Sequence, residues 1–184
     1  GCNGLTGVYI YDLEKWCITD FGSLYANPLY NAHNLYLNNV LVTSVELEEG
    51  IAAIEDFAFA GASCLTDINI PTSINRIGSD AFSGCTSLTS ITIPDTVKTL
   101  SNGAFKGCTN LTTAIVGNGI TIIENSTFYG CTNLASITIG NKVTSIGNSA
   151  FNNCSSLGSI NIPDTLTSIG NSAFYNCSSL GSIN

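Results

Sequence analysis

The fold is decided by the stretch IGSDAFSGCTSLTSITIP, residues 77–94, because the chain restates it at one fixed interval. The phenylalanine of this stretch recurs every 23 residues without a slip, and nearly the whole stretch returns at residues 146–163. One copy cannot bury its own apolar positions, so consecutive copies must stack as the coils of a solenoid. The six phenylalanines are Phe59, Phe82, Phe105, Phe128, Phe151 and Phe174.

Leu88, Ile91 and Ile93 form a Leu-x-x-Ile-x-Ile core, and this core in a 23-residue period is the spacing of a leucine-rich repeat. A proline often follows the core and ends the strand there, because it cannot donate to a ladder. The sequence therefore predicts a repeat solenoid, a leucine-rich repeat of mostly short parallel β-strands with extended or loop return segments and little helix. Bends after the return segments are expected to use the conformational freedom of Gly78, Gly147 and Gly170.

Strand spacing divides the chain into three parts. The apolar strand pairs step by 23 residues except between Val8/Ile10 and Val45/Leu47, where the step is 37. We therefore expect a partial coil at residues 1–10, an inserted island at residues 11–44 and a regular array at residues 45–184. Both ends of the chain fall inside a repeat, so the sequence is expected to be a piece of a longer array.

Charge and hydropathy exclude two classes of partner. The formal net charge is −8, and the five Lys or Arg residues form no basic stripe that would neutralise phosphates, so nucleic acid is not expected. No apolar run reaches the ~20 residues of a membrane span, so no direct membrane insertion is expected. Six acidic residues lie close together in the sequence. They form either a solvated surface or a surface that attracts a basic patch or a divalent cation. They are Glu46, Glu48, Glu49, Glu55, Asp56 and Asp67.

No set of catalytic or cofactor-binding residues stands out. The chain has a single histidine, His33, no Cys-x-x-Cys pair and no glycine loop of the kind that holds phosphates. The sequence therefore predicts no enzyme activity, no cofactor and no metal site.

Five cysteines follow the 23-residue period and must stack directly above one another. Adjacent coils lie about 4.8 Å apart, within the Cα range of a disulfide, so bonding remains open. Five residues in one column cannot all pair, however, and Ala62 takes the equivalent place in the first full coil. Buried free thiols are therefore the favoured interpretation. The column is Cys85, Cys108, Cys131, Cys154 and Cys177.

The frame Ile-Gly-x-x-Ala-Phe-x-x-Cys-x-x-Leu-x-x-Ile-x-Ile-Pro resembles the BspA-like, Treponema pallidum-type class of leucine-rich repeats over about residues 40–184. Receptor-type repeats have an Asn ladder after the strand, whereas this chain has Thr96, Gly119 and Lys142 there. The island is similar to segments that interrupt such arrays in bacterial surface proteins. The resemblance implies a cell-surface or extracellular protein that adheres to host matrix proteins or to other cells.

The outward side of the predicted strands, here called the strand face, is the first candidate binding site. Strand side chains alternate between faces, so with Ile91 and Ile93 inside, Ser90 and Thr92 point out. The resulting ladder of small polar groups suits weak, extended contacts with a protein or glycan, unless Ser and Thr simply tolerate an exposed strand. The candidate residues are Tyr9, Glu46, Asp67, Asn69, Ser90, Thr92, Thr113, Ile115, Ser136, Thr138, Ser159 and Asn161. The residues that depart from the small polar pattern are Tyr9, Glu46, Asp67 and Ile115.

The aromatic residues of the island are the second candidate. They could stack on sugar rings or anchor a protein partner, as Trp and Tyr do at binding hot spots; these are Trp16, Tyr25, Tyr30 and Tyr36. Alternatively the island folds back to cover open solenoid core with Trp16, Phe21, Leu29 and Leu35. A short helix is expected from Asp12 to Cys17, with Leu13, Trp16 and Cys17 on one face.

Together these features predict a non-catalytic protein-binding or adhesion module of a bacterial surface protein. The alternatives are a passive stalk or spacer and a glycan-binding surface on the island. Uncovered apolar residues in the first and last coils also predict end-to-end self-association. These residues are Leu5, Val8, Leu180 and Ile183.

Overall fold

The structure, a computed structural model, describes residues 4–184, so the start of the predicted partial coil, residues 1–3, lies outside the described residues. In chain order the strands are β1 Val8–Ile10, β2 Leu35–Leu37, β3 Val40–Leu41, β4 Ser44–Glu46, β5 Ala53–Ile54, β6 Asp67–Asn69, β7 Arg76–Ile77, β8 Ser90–Ile93, β9 Thr99–Leu100, β10 Thr113–Val116, β11 Ile122–Ile123, β12 Ser136–Thr138, β13 Ser145–Ile146, β14 Ser159–Ile160, β15 Ser168–Ile169 and β16 Ser182–Ile183. The helical elements are α1 Leu13–Cys17, a 3-10 helix at Leu24–Ala26 and α2 Leu29–Ala32. All of them lie in the island, so the predicted solenoid with little helix is confirmed.

Two sets of parallel strands run along the array. The front strands, β4 and every second strand to β16, form the sheets β4–β6, β8–β10–β12 and β14–β16, and the return strands form β5–β7–β9 and β11–β13–β15. Partners are 23 residues apart, as in Ile91 opposite Ala114 and Ile54 opposite Ile77. A slip of one residue would turn every apolar side chain outward, so the fixed period specifies this register.

The phenylalanine column is the centre of the core. Neighbouring rings lie 5.2–5.6 Å apart between centroids with interplanar angles of 2–9°, which is an offset stack. The first five rings are fully buried, whereas Phe174 is only half-buried. Fully burying one such side chain contributes about 1.5–3 kcal/mol, so the column is a major source of stability.

A sharp turn follows each phenylalanine and adds a third set of hydrogen bonds between coils. The Phe59 amide donates to the Ala81 carbonyl at 2.7 Å, and the Phe82 amide donates to the Ala104 carbonyl at 2.8 Å. The turn residue two positions after the phenylalanine has φ between 58° and 82°, and only Gly and Asn adopt this region readily. The turn residues are Gly61, Gly84, Gly107, Gly130, Asn153 and Asn176.

The cysteine column lies beside this turn and is buried as expected, except that Cys177 is half-buried. Each thiol donates to the carbonyl of the phenylalanine 26 residues earlier, as in Cys108 Sγ to the Phe82 oxygen at 3.2 Å. Burial raises the pKa of the Cys108 and Cys131 thiols far above the usual range, so these thiols stay protonated. All seven cysteines among residues 4–184 are free thiols in the structure.

The expectation for the glycines after the return strands needs correction. Gly78, Gly147 and Gly170 do not have positive φ, so conformational freedom is not the reason for glycine there. A Cβ on Gly147 would lie 2.7 Å from the Asn125 nitrogen and 2.8 Å from the Glu124 carbonyl carbon of the preceding coil. Close approach between coils is therefore what excludes a side chain.

The island contains strands that the spacing did not reveal. β1 pairs in parallel with β2, Val8 opposite Leu35, so Leu35 rather than Val45 comes next to Val8 in the sheet. β2 then pairs antiparallel with β3 through a tight turn in which Asn38 and Asn39 have φ of 51° and 67°. Two such residues form a type I′ turn, which matches the twist of a hairpin.

The predicted helix at residues 12–17 is confirmed as α1, and the Asp12 side chain accepts a hydrogen bond from the Lys15 amide at 2.9 Å at its start. No described helix is apolar and long enough to cross a membrane.

Candidate functional site

All twelve candidate residues of the strand face are exposed, and eleven of them lie in the array, whereas Tyr9 lies on β1 of the separate β1–β2–β3 sheet. The register of β8, β10 and β12 aligns Ser90, Thr113 and Ser136 in one column. The neighbouring column contains Thr92, Ile115 and Thr138, and Ile115 is 48% exposed between two threonines.

A shallow depression of about 220 Å³ lies on the strand face between the coils of β6 and β8. Its lining includes Asp67, Asn69, Ser90, Thr92 and Pro94. The lining is mostly hydroxyl, amide and carboxylate, and the space is too small to enclose a drug-sized ligand. The depression therefore suits a single side chain from a partner.

The six crowded acidic residues divide into two groups. Glu55 forms an ion pair with Arg76 at 2.5 Å, and Asp56 pairs with the same guanidinium. Glu49 accepts hydrogen bonds at 2.8–3.1 Å from the hydroxyl and amide of Thr72 and the amide of Ser73, and these lower its pKa, the Thr72 hydroxyl most strongly.

The remaining acidic residues, Glu46, Glu48 and Asp67, are exposed, and no ion pair involves them among residues 4–184. The described part of the chain also has no group of three or more His, Cys, Asp or Glu side chains that could hold a metal ion. The free carboxylates of the strand face are therefore those of Glu46 and Asp67, on neighbouring strands β4 and β6.

Tyr9 has a partner that the sequence did not indicate. The Tyr9 and Tyr36 rings are stacked, with centroids 4.6 Å apart and an interplanar angle of 11°. Register places Tyr36 opposite both Tyr9 and Leu41, so three side chains form one row across β1, β2 and β3. Tyr36 was not assigned to the strand face because its strand was not predicted. The alternating pattern Leu-Tyr-Leu at residues 35–37 was the signal that could have indicated this strand.

The other island residues mostly serve the fold. Leu29 and Leu35 are buried in the core and Trp16 packs against it, which confirms for these three that the island folds back over the solenoid. Phe21 lies on the Trp16 ring at 5.0 Å between centroids. The indole N–H of Trp16 donates to the Ala58 carbonyl at 2.7 Å, so Trp16 is fixed against the array.

Asn27 is a structural residue that the sequence did not reveal. Its side chain is fully buried, donates to the Phe57 carbonyl at 2.7 Å and the Ala58 carbonyl at 3.3 Å, and accepts from the Leu29 amide at 2.8 Å. The Asn-Pro pair gives a signal for a turn but none for contacts thirty residues away.

Tyr25 and Tyr30 are the exposed aromatic residues at the other side of the island. Their rings meet edge to face at 5.8 Å, and Tyr25 is 80% exposed. The α2 backbone beneath Tyr30 packs on the first array turn, where a Cβ at Gly61 would lie 2.8 Å from the Tyr30 Cα. This pair is the surface to which the sugar-stacking hypothesis now applies.

The apolar residues named for self-association are partly uncovered. Leu5, Val8 and Leu180 are half-buried and Ile183 is 49% exposed. End-to-end association itself stays a prediction, which light scattering over a wide concentration range would check.

Known proteins share this architecture. A family model for the BspA type leucine rich repeat region matches residues 32–131, just over half of the chain, in six copies. A leucine-rich repeat protein from Bacteroides ovatus is similar at 28% identity over 84% of this chain and 44% of its own, with a TM-score of 0.62. A leucine rich cell surface protein from Faecalibacterium prausnitzii is similar at 27% identity over 77% of this chain and 47% of its own, with a TM-score of 0.57.

A Treponema pallidum leucine rich repeat protein is similar at 27% identity over 77% of this chain and 57% of its own, with a TM-score of 0.51. The chain thus spans about half the length of these proteins. None of the curated proteins matches it.

Proposed function

The chain belongs to the BspA-type leucine-rich repeat family, and we propose that it is a non-catalytic protein-binding module of a bacterial surface or secreted protein. The proposed partner is a host matrix protein or a protein of a neighbouring cell, and the proposed contact surface is the strand face. The cell-surface protein among the similar structures supports this location.

The observation that carries the proposal is the composition of the strand face in the coil of β10. Ile115 is exposed there, whereas the flanking front strands have threonine at the same position. An exposed β-branched apolar side chain gains free energy when a partner covers it, at roughly 25 cal/mol per Å² removed from water. Hydroxyl and amide groups on either side would orient the partner.

A passive spacer is the second candidate function. It is favoured by the uniformity of the other columns, such as Ser90, Thr113 and Ser136, which offer no large side chain as an anchor. A spacer would require only that the coils stack, and its strand face would bind no protein.

The two functions differ in how binding responds to one substitution. Ile115→Thr and Ile122→Thr are matched, because both isoleucines are exposed in the same coil, one on front strand β10 and one on return strand β11. We would immobilise each protein and measure binding to a panel of matrix proteins and mucin, with albumin as the baseline. A protein-binding strand face predicts binding above albumin that Ile115→Thr weakens and Ile122→Thr does not. Binding at the albumin level for every protein on the panel would favour the spacer.

The aromatic pair Tyr25 and Tyr30 supports a glycan-binding function less directly, because only its exposure favours it. Loss of mucin binding in Tyr25→Ser with matrix-protein binding retained would assign a glycan site to the island.

A further inference from the structure

We propose that the row Tyr9, Tyr36 and Leu41 anchors an extended, basic protein segment that carries one large apolar side chain. This inference rests on the proposed protein-binding function and names the chemistry of the partner. The row lies outside the regular array, and the strand-face prediction included only Tyr9 from it.

The three side chains share the outward side of the β1–β2–β3 sheet. Tyr36 pairs with Tyr9 on one side and with Leu41 on the other, and paired strands lie about 4.8 Å apart. The alternate residues Val8, Leu35 and Leu37 pack against the core, which leaves the row on the solvent side. Tyr9 is 59% exposed and Leu41 is 39% exposed.

The row is held in place before any partner arrives. The Tyr9 and Tyr36 rings support each other at 4.6 Å. Gly7 leaves room for them, because a Cβ there would lie 2.7 Å from Cε2 of Tyr36. A preorganised pair of tyrosines loses little conformational entropy on binding, which is why rigid aromatic anchors are effective in recognition surfaces.

The charge of the adjoining surface identifies the partner as basic. Only two residues separate Leu41 from Ser44, so their Cα atoms lie within about 11 Å. Ser44 pairs with Asp67, and Glu46 follows Ser44 on the same strand, so two exposed carboxylates begin where the row ends. None of the candidate residues of the strand face is Lys or Arg. An acidic surface of this kind steers and selects a segment with Lys or Arg.

The geometry favours a protein side chain over a sugar ring. Tyr9 covers one face of the Tyr36 ring, and the register places Leu41 beside Tyr36 on the other side. The exposed surface therefore combines leucine methyl groups with tyrosine rings, and this mixed apolar surface complements an aliphatic or aromatic side chain.

The test uses three fluorescein-labelled peptides of nine residues and fluorescence anisotropy. The first peptide has a central Phe flanked by two Lys on each side, the second replaces Phe with Ser, and the third replaces the lysines with Glu. We expect the first peptide to bind at least about tenfold more tightly than either of the others, and its binding to weaken as salt is added. Equal binding of the Phe and Ser peptides, or of the Lys and Glu peptides, would overturn the proposal.

Variants locate the binding on the chain. Tyr9→Ser is expected to lower the affinity for the first peptide about tenfold, whereas Tyr9→Phe should retain most of the affinity. The double variant Glu46→Gln, Asp67→Asn should reduce the dependence of peptide binding on salt. Tyr175→Ser is the matched control, because Tyr175 is 61% exposed in a turn far from the row in sequence. Circular dichroism and thermal unfolding check that each variant is folded. Unchanged peptide binding in folded Tyr9→Ser contradicts the proposal.

The outcomes also separate this inference from the proposed function. Binding of a matrix protein that depends on Ile115, without any binding of the basic Phe peptide, would remove this inference and leave the protein-binding function intact. If neither the matrix proteins nor the peptide bind, this inference and the proposed protein-binding function are both wrong. Displacement of the bound peptide by mucin oligosaccharides would overturn the assignment to a protein segment.

Discussion

Carbonyl groups at equivalent positions receive their hydrogen bonds from the backbone in the regular array and from side chains where the island meets it. Inside the array, the Ala81 carbonyl accepts a hydrogen bond from the Phe59 amide of the preceding coil. One coil earlier the equivalent carbonyl belongs to Ala58, and it accepts from the Trp16 indole and the Asn27 amide of the island. Backbone donors thus serve the array, whereas particular side chains serve the place where the array begins.

This difference shows that stacking and capping make opposite demands on sequence. A coil that meets an identical coil needs the right spacing and the shared core residues, because its hydrogen bonds to the neighbouring coil come mainly from the backbone. A coil that contacts the island has buried carbonyl acceptors, and each of them accepts a hydrogen bond from a particular island side chain. Substitution of exposed polar residues in the array should therefore have little effect on stability, whereas substitution of its core residues should lower stability. In the island, substitution of a single buried polar residue should already lower stability.

The largest effect is expected from Phe105→Ala. This ring is fully buried between stacked neighbours at 5.2 and 5.6 Å, and its loss leaves a cavity inside the column. The free energy of unfolding should fall by about 3–5 kcal/mol, measured by urea denaturation. Phe21→Ala in the island is the control, because Phe21 is half-buried and its ring is tilted against that of Trp16 rather than enclosed in the column. Equal losses in the two variants would contradict the account of the core.

Asn27→Ala tests the island in the same way. The substitution removes the Asn27 hydrogen bonds to the Phe57 and Ala58 carbonyls and the acceptor of the Leu29 amide. The two carbonyls keep the Ala60 amide and the Trp16 indole as donors, whereas the buried Leu29 amide loses its partner. We expect the free energy of unfolding to fall by about 1–3 kcal/mol, because the buried Leu29 amide is left unsatisfied, and hydrogen exchange to become faster at Leu29 and near residues 55–60. Asn133→Ala is the matched control, since the Asn133 side chain is exposed and makes a single 3.4 Å contact with Asn110. A similar loss in both variants would show that Asn27 has no capping role.

Gly147→Ala tests the spacing between coils. The added Cβ would lie 2.7–2.8 Å from backbone atoms of the preceding coil, which forces the coils apart and should cost about 1–3 kcal/mol. Gly158→Ala is the control, because no atom lies within 4 Å of its Cβ position. Chemical denaturation of the two variants checks the difference, and a stability of Gly147→Ala within error of Gly158→Ala would contradict close approach as the reason for glycine.

The smallest effect concerns pH at the first coil of the array. Hydrogen bonds from Thr72 and Ser73 lower the pKa of Glu49 below its unfolded value. The stabilisation they give is therefore present above the unfolded pKa and is lost as the pH falls through the folded pKa. Thermal unfolding from pH 7 down to pH 3 should show a smaller acid dependence in Glu49→Gln than in the original chain. An unchanged or steeper dependence in the variant would contradict this role.

The array was predictable because one pattern is repeated in an environment that does not change. Strand alternation fixed the outward positions of residues such as Ser90 and Thr138, and the Phe and Cys columns followed from the period. The island was not predictable in detail, because β2 breaks the period and the contacts of Asn27 cross thirty residues of chain. The sequence also did not show which of the six acidic residues are paired, because Arg76, the partner of Glu55 and Asp56, lies about one coil further along the chain.

The most direct test of the strand face as a binding surface is hydroxyl-radical footprinting of the chain with and without the matrix protein that it binds best. Tyr9 and Ile115 report on the strand face, whereas Ile122 and Tyr175 report on the return strands and the turns, and all four are exposed in the free chain. If the strand face is the binding surface, oxidation of Tyr9 and Ile115 will fall several-fold in the complex while oxidation of Ile122 and Tyr175 stays unchanged. Protection of Ile122 or Tyr175 with continued oxidation of Tyr9 and Ile115 would contradict it.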